Sequence, residues 1–210
     1  MIIDIEEIAN ILLSKKIIIN GCVNVGTRDC EELDIYNRLG VKAENIVWVD
    51  ALPDKVVSAT SRGIPNVFNA IITAKDDEDV ILNVANNCSS SSIFDFGADT
   101  TEHSEIVYVD KIYQKSITMD TFFERNNIDA SNYNFWKLDI KGAELLALQG
   151  AMKSIKYVKA LYVEVTSKEL FKNGAIITQL DAFLAPYKFK RYLTNMTIHK
   201  CGDALYILDT

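Results

Sequence analysis

Histidine, cysteine and proline are scarce in this chain, with two His, four Cys and three Pro among 210 residues. Cys22, Cys30, Cys88 and Cys201 show no C-x-x-C spacing, and His103 and His199 are too few to complete a zinc set with them, so free thiols and no metal centre are expected. Few prolines and nine glycines, beside 49% hydrophobic and 24% charged residues, exclude a disordered chain. Basic residues are in deficit, 22 against 29 acids, for a net charge of -7. No Lys- and Arg-rich run with interleaved aromatics exists to hold a phosphate backbone, so nucleic acid is not an expected partner. No apolar run reaches membrane-spanning length, and Met1 to Glu7 carry acid where a secretory signal carries base. The reading is a cytoplasmic protein without membrane insertion.

What is present is an alternation of strand and helix patterns. Apolar residues at 5, 8, 9, 12 and 13 have a helical period and form a leader helix. Ile17 to Ile19 is an apolar run, and Cys22 to Val25 is the first core strand, ending at Gly26. Asp29 to Leu39 reads as a helix with Asp29, Glu31 and Glu32 at its positive N-terminal end and Gly40 as its stop. Ile46 to Asp50 is a buried strand, Asp54 to Ser61 a helix after Pro53, and Val67 to Thr73 and Val80 to Val84 are further strands. Asn86 to Glu105 breaks the pattern as a long polar loop. A strand near Tyr113 to Ile117, a helix capped by Thr118, a strand Phe135 to Asp139 and a helix from Gly142 to about Ser154 follow. Leu161 to Val165, a helix over Ile176 to Leu184, and a terminal strand pair, Lys188 to Leu193 with Ala204 to Leu208, close the chain. This order predicts an α/β, Rossmann-like, doubly wound and mostly parallel sheet with an antiparallel C-terminal strand pair.

In such a sheet the ligand lies beyond the carboxyl ends of the strands, where Gly26, Asp50 and Asp139 fall. Gly26 would let backbone approach a ligand, and Asp50 could accept hydrogen bonds from both hydroxyls of a ribose. Equally, Gly26 is a turn glycine and Asp50 a cap by the bland reading. The loop Asn24 to Asp29 has one glycine and fails G-x-G-x-x-G, which argues against nicotinamide and flavin dinucleotides, and it lacks the ending of a P-loop.

Gly21-Cys22-Val23-Asn24-Val25-Gly26-Thr27-Arg28-Asp29-Cys30-Glu31-Glu32, Trp48 to Pro53, Asn87 to Ile93, Leu138-Asp139-Ile140-Lys141-Gly142-Ala143-Glu144-Leu145 with Leu148 to Ala151, Tyr162 to Val165 and Gly202 to Tyr206 occur in that order. Together they resemble the FkbM family of methyltransferases from about Ile17 to Leu208. The departures are Asn24, Thr27 and Arg28 for the usual His, Ala and His, Asp50 for Glu, and Lys141 where an acid or Gln is common. The resemblance implies S-adenosylmethionine as cofactor, with residues 1–16 a leader and 17–210 the methyltransferase domain. It implies cofactor contacts from Asn24, Gly26, Thr27, Arg28, Glu32, Asp50, Ala51, Ser91 and Asp139, and acceptor contacts from Ser89, Ser90, His103 and Lys141. The acceptor it implies is a sugar or glycan hydroxyl.

Methyl transfer to a hydroxyl needs alignment and a base. Asp139 is the first candidate for the acceptor side, Glu164 the second, and His103, which titrates near neutrality, the best by residue type. Helix-capping readings stand beside Asp139 and Glu144, and a solvated-loop reading beside His103. Trp48, Phe135, Trp136 and Tyr162 read as core. Two other functions stand beside methyl transfer: a non-catalytic binding or scaffold relative, and a nicotinamide oxidoreductase, which the missing glycines disfavour.

Overall fold

The computed structural model describes residues 2–97 and 105–209. Its centre is a seven-stranded sheet of β1 (Cys22–Val25), β2 (Ile46–Asp50), β3 (Val67–Asn69), β7 (Phe135–Leu138), β8 (Ala160–Thr166), β9 (Phe189–Met196) and β10 (Cys201–Leu208), ordered β3-β2-β1-β7-β8-β10-β9. The first five of these in the order run parallel, and β10 is antiparallel to both neighbours. The strand order reverses between β1 and β7, which opens a crevice at their carboxyl ends.

Both faces of the sheet are covered, so its central strands are buried throughout and carry nearly continuous apolar runs. Val23, Val25, Val47, Val49, Trp136, Leu138, Leu161 and Val163 point to one face. There they pack on α4 (Met119–Arg125), α5 (Glu144–Gln149) and α6 (Ile177–Leu184). Cys22, Ile46, Trp48, Phe135, Ala160 and Tyr162 point to the other, under α1 (Ile5–Ser14), α2 (Leu33–Arg38) and α3 (Pro53–Ser61). Ile8 and Leu12 of α1 are buried in this second core. Trp48, Phe135, Trp136 and Tyr162 are core, and each fully buried aromatic contributes about 1.5–3 kcal/mol.

Between β3 and β7 the chain builds a second, three-stranded sheet from β4 (Ile71–Ile72), β5 (Asp79–Ala85) and β6 (Tyr108–Ile117), ordered β4-β6-β5. The expected strand Val67 to Thr73 is therefore two strands in different sheets. Residues 67–69 pair with 48–50 of β2, whereas 71–72 pair with 116–117 of β6. The chain turns where Ala70 and Asn69 both donate to the Asp50 carbonyl, at 3.1 and 2.9 Å. The strand expected at Val80 to Val84 belongs to this insert, antiparallel to β6, and not to the doubly wound sheet.

Two expected helices start late. Arg28 and Cys30 sit at φ 48° and 54°, in the left-handed region, and the Asp29 carboxylate pairs with Lys55 at 3.0 Å. A helix cannot begin at Asp29, and α2 begins at Leu33 with only Asp34 as an acid in its first turn. Lys141 and Gly142, at φ 54° and 97°, delay α5 to Glu144 in the same way. That helix ends at Gln149, where the Ala151 N–H donates to the Leu148 carbonyl at 3.1 Å, and the following turn is held by Lys153 and Ser154 N–H groups on Asp120. Ile17 to Ile19 runs without strand pairing into β1. The four cysteines are free.

Candidate active site

A pocket follows the carboxyl ends of the parallel strands. Val25, Gly26, Arg28, Asp50, Ala51 and Leu52 line its β1–β2 end, and Asp139, Ile140, Lys141 and Ala143 line its β7 end. The insert supplies the remaining wall through Ala70, Ile71, Ile72, Leu82, Cys88, Ser89, Ser91, Ser92 and Ile93.

Gly26 is required by the backbone. Its φ is 85°, and a Cβ there would lie 2.0 Å from the Asp139 carbonyl oxygen. The close approach is between the loops after β1 and β7, locked by Asp139 N–H donating to the Val25 carbonyl at 3.0 Å. Asp50, 6% exposed, accepts from Leu52 N–H through Oδ1 and from Arg28 N–H through Oδ2, both at 2.8 Å. Burial raises its pKa, opposed by those backbone hydrogen bonds. A carboxylate has about four lone-pair sites; Oδ2 also accepts from the Thr27 hydroxyl at 3.5 Å, and Oδ1 keeps acceptor capacity beyond its backbone donor.

At the other end the charges are paired side chain to side chain. Lys141 Nζ lies 2.6 Å from Asp139 Oδ1 and 2.7 Å from Glu164 Oε1. Lys137 Nζ, with 3% of its side chain exposed, lies 3.3 Å from Asp139 Oδ2 and 3.1 Å from Glu32 Oε1. Glu32 Oε2 in turn accepts from Asn24 Nδ2 at 3.2 Å. Asn24 and Lys137 are register partners on adjacent strands, and alternation puts Lys137, Asp139, Tyr162 and Glu164 toward the same face. A line of polar groups thus crosses β1, β7 and β8 beneath the pocket.

Burial alone would raise the Asp139 pKa, but Lys141 and Lys137 hold it well below the usual carboxylate range. Burial pushes Glu164 up to about 8, against the pull of Lys141. Both lysines stay charged: burial disfavours the ammonium, but Asp139 with Glu32 or Glu164 more than offsets it. Glu144 accepts from Ile140 N–H at 2.8 Å and from Gly142 N–H at 3.0 Å, and so staples the loop that presents Lys141. Burial pushes its pKa up to about 7. Ser92 Oγ donates to the Lys141 carbonyl at 2.7 Å and clamps the insert to the same loop.

Of the residues expected at a site, the pocket brings together Gly26, Arg28, Asp50, Ala51, Ser89, Ser91, Asp139 and Lys141. Asn24, Thr27 and Glu32 lie beneath it, Thr27 with its hydroxyl 3.5 Å from Asp50 Oδ2. Ser90 closes a turn with Asn87, and Glu164 adjoins the pocket through Lys141. His103 lies outside the described residues. The residues that sequence reasoning missed are Lys137 and the apolar wall of the insert. A lysine within the apolar run Phe135 to Leu138 is the one signal that could have revealed the first.

The Methyltransferase FkbM domain model matches residues 23–203, which run from β1 to the start of β10 and include every residue of the pocket wall. The chain belongs to the FkbM methyltransferase family. The cofactor of this class of methyltransferase is S-adenosylmethionine. No curated protein sequence matches significantly. Among solved structures, magnesium protoporphyrin IX methyltransferase of Synechocystis PCC 6803 with bound SAM is 9% identical, over 98% of this chain and 78% of its own, with a TM-score of 0.46. The TrmK protein of M. capricolum with S-adenosyl-homocysteine is 10% identical over 98% and 68%, with a TM-score of 0.44. A SAM dependent methyltransferase from Aquifex aeolicus is 13% identical over 99% and 100%, with a TM-score of 0.43.

The residues present fit this cofactor. Asp50 Oδ1 retains acceptor capacity toward a ribose hydroxyl, and Ala70, Ile71, Ile72 and Leu82 offer an apolar wall to a base. Among the described residues no group of His, Cys, Asp and Glu could hold a metal ion, and no helix is long and apolar enough to cross a membrane.

Proposed function

We propose that this FkbM-family chain transfers its methyl group to an oxygen, the hydroxyl of a sugar or glycan. The observation that carries the reading is a carboxylate pair at the opposite end of the pocket from Asp50: Asp139 lines the wall there, and Glu164 adjoins it through Lys141. S-adenosylmethionine supplies a methyl carbon made electrophilic by its sulfonium, so the acceptor oxygen must be aligned opposite the sulfur. Gly26, Arg28, Asp50 and Ala51 would hold the nucleoside end of the cofactor, and Ser91 would border it from the insert. Asp139, pinned by two ammonium groups, is a weak base and suits orientation of the acceptor. Burial raises the pKa of Glu164 against the pull of Lys141, which makes its carboxylate the stronger base of the two and suits it to removal of the hydroxyl proton. Ser89 and Lys141 would contact the acceptor from the two sides of the pocket mouth. The sugar or glycan identity rests on the family resemblance alone.

The test is transfer of labelled methyl to a panel of sugar, amine and RNA acceptors. Product on sugar hydroxyls, lost in Glu164→Gln with S-adenosylhomocysteine binding kept, is the expected result. Product on an amine or on RNA in place of a hydroxyl overturns the oxygen assignment. The lysines that neutralise Asp139 favour one second reading, a non-catalytic binding relative. Cofactor binding without transfer to any acceptor would support it.

A further inference from the structure

Lys141 has the environment of a bound metal ion. Its ammonium bridges carboxylate oxygens from two separate elements, Asp139 after β7 at 2.6 Å and Glu164 on β8 at 2.7 Å. The backbone accepts a left-handed φ of 54° at a residue with a Cβ in order to deliver it there. The delivering loop is fixed from both sides, by the Glu144 carboxylate on Ile140 and Gly142 and by the Ser92 hydroxyl on Lys141 itself. Hard divalent cations sit between carboxylate oxygens at about 2.0 to 2.6 Å, with similar demands on the oxygens. Among the described residues Lys141 is the ammonium that reaches both carboxylates, since Lys137 reaches only Asp139 of the two.

We propose that Lys141 is a tethered cation: it fills the place between Asp139 and Glu164 that a divalent ion would take, and it sets the spacing of the two carboxylates without a metal. It is a positioning residue for the acceptor end of the pocket. The proposal builds on the reading of that end given above, but its test needs neither cofactor nor acceptor. Removing the ammonium should turn the pair into a divalent-cation site, and a third carboxylate at position 141 should strengthen that site.

The experiment is titration with Mn2+, followed by loss of the free-ion electron paramagnetic resonance signal, on the full chain and on Lys141→Gly, Lys141→Glu and Lys141→Arg. Glycine relieves the positive φ, so Lys141→Gly separates loss of charge from backbone strain. The parent and Lys141→Arg should leave Mn2+ free. Lys141→Gly and Lys141→Glu should each bind one ion with sub-millimolar affinity, and Asp139→Asn in either background should abolish it. Should the variants unfold, Mn2+ should restore their cooperative melt. Asp139-dependent Mn2+ binding by the parent overturns the proposal. So does a folded Lys141→Glu that binds none, or variants that fold neither with Mn2+ nor without it. None of these outcomes bears on methyl transfer, which the acceptor panel reads separately.

Discussion

The two ends of the pocket hold their carboxylates by opposite means. At the β1–β2 end, Asp50 is held by the backbone N–H groups of Arg28 and Leu52, with no ammonium within ion-pair distance of it among the described residues. At the β7–β8 end, Asp139 is held between two lysines that also grip Glu32 and Glu164. Neutral donors fix a carboxylate in place while leaving its charge for a ligand, and burial then raises its pKa. Ammonium groups fix it, cancel its charge and lower its pKa. One end keeps an acceptor for hydroxyl groups, and the other becomes a nearly balanced ionic lattice.

The comparison breaks most sharply at Lys137. Lys137→Ala leaves Glu32 without its cation beneath the pocket and Asp139 with Lys141 alone, a broken buried ion pair that costs about 3 kcal/mol. A urea melt should show it as a lowered midpoint with an unchanged slope. An intact midpoint would mean that the ionic lattice adds nothing to stability. Gly26→Ala strikes the junction between the two ends. With a Cβ 2.0 Å from the Asp139 carbonyl and a left-handed φ, it should cost at least about 2 kcal/mol, read in the same melt.

Asp50→Ala tests the β1–β2 end alone. Calorimetric titration with S-adenosylhomocysteine should show a loss of about 1–3 kcal/mol, roughly 5- to 150-fold in Kd. An unchanged Kd would reduce Asp50 to a cap for the loops after β1 and β2. The smallest expected effect is on the pH dependence of stability. Burial, opposed by Lys141, raises the folded-state pKa of Glu164 above its unfolded value near 4.5. Its contribution is therefore fully present below about 4.5 and lost as pH rises through the raised folded-state value. Glu144 acts in the same direction up to about pH 7, and Asp139 in the opposite direction at acid pH. Glu164→Gln should flatten, without abolishing, the fall in Tm between pH 5 and 8, by about a few degrees.

Much of the sheet was legible because its signals are local. The runs at 22–25, 46–50, 135–138 and 160–166 are apolar and end in Gly26, Asp50, Asp139 and a polar segment, as strands feeding a crevice should. The spans of α2 and α5 were misread because acids and apolar residues can keep a helical period while the backbone turns left-handed at Arg28, Cys30, Lys141 and Gly142. That turning is set by partners far along the chain. Asp139 could be named from its place at a strand end, yet its electrostatic state could not, because Lys137 looks like one polar residue in a buried strand until Glu32 arrives beside it.

By itself the sequence determined the alternation of strands and helices, the buried central strands, and the glycine and acids at the strand ends, since these follow from periodicity and side-chain chemistry over a few residues. Tertiary structure decided the rest: the division of residues 67–72 between two sheets, the insert wall of the pocket, the backbone grip on Asp50 and the lysine grip on Asp139. Each of these depends on contacts between segments tens of residues apart, such as β1 against β7 and the Lys141 loop against Ser92. Hydrogen-bond pairing and charge neutralisation across such distances are settled only when the whole sheet closes on its two cores.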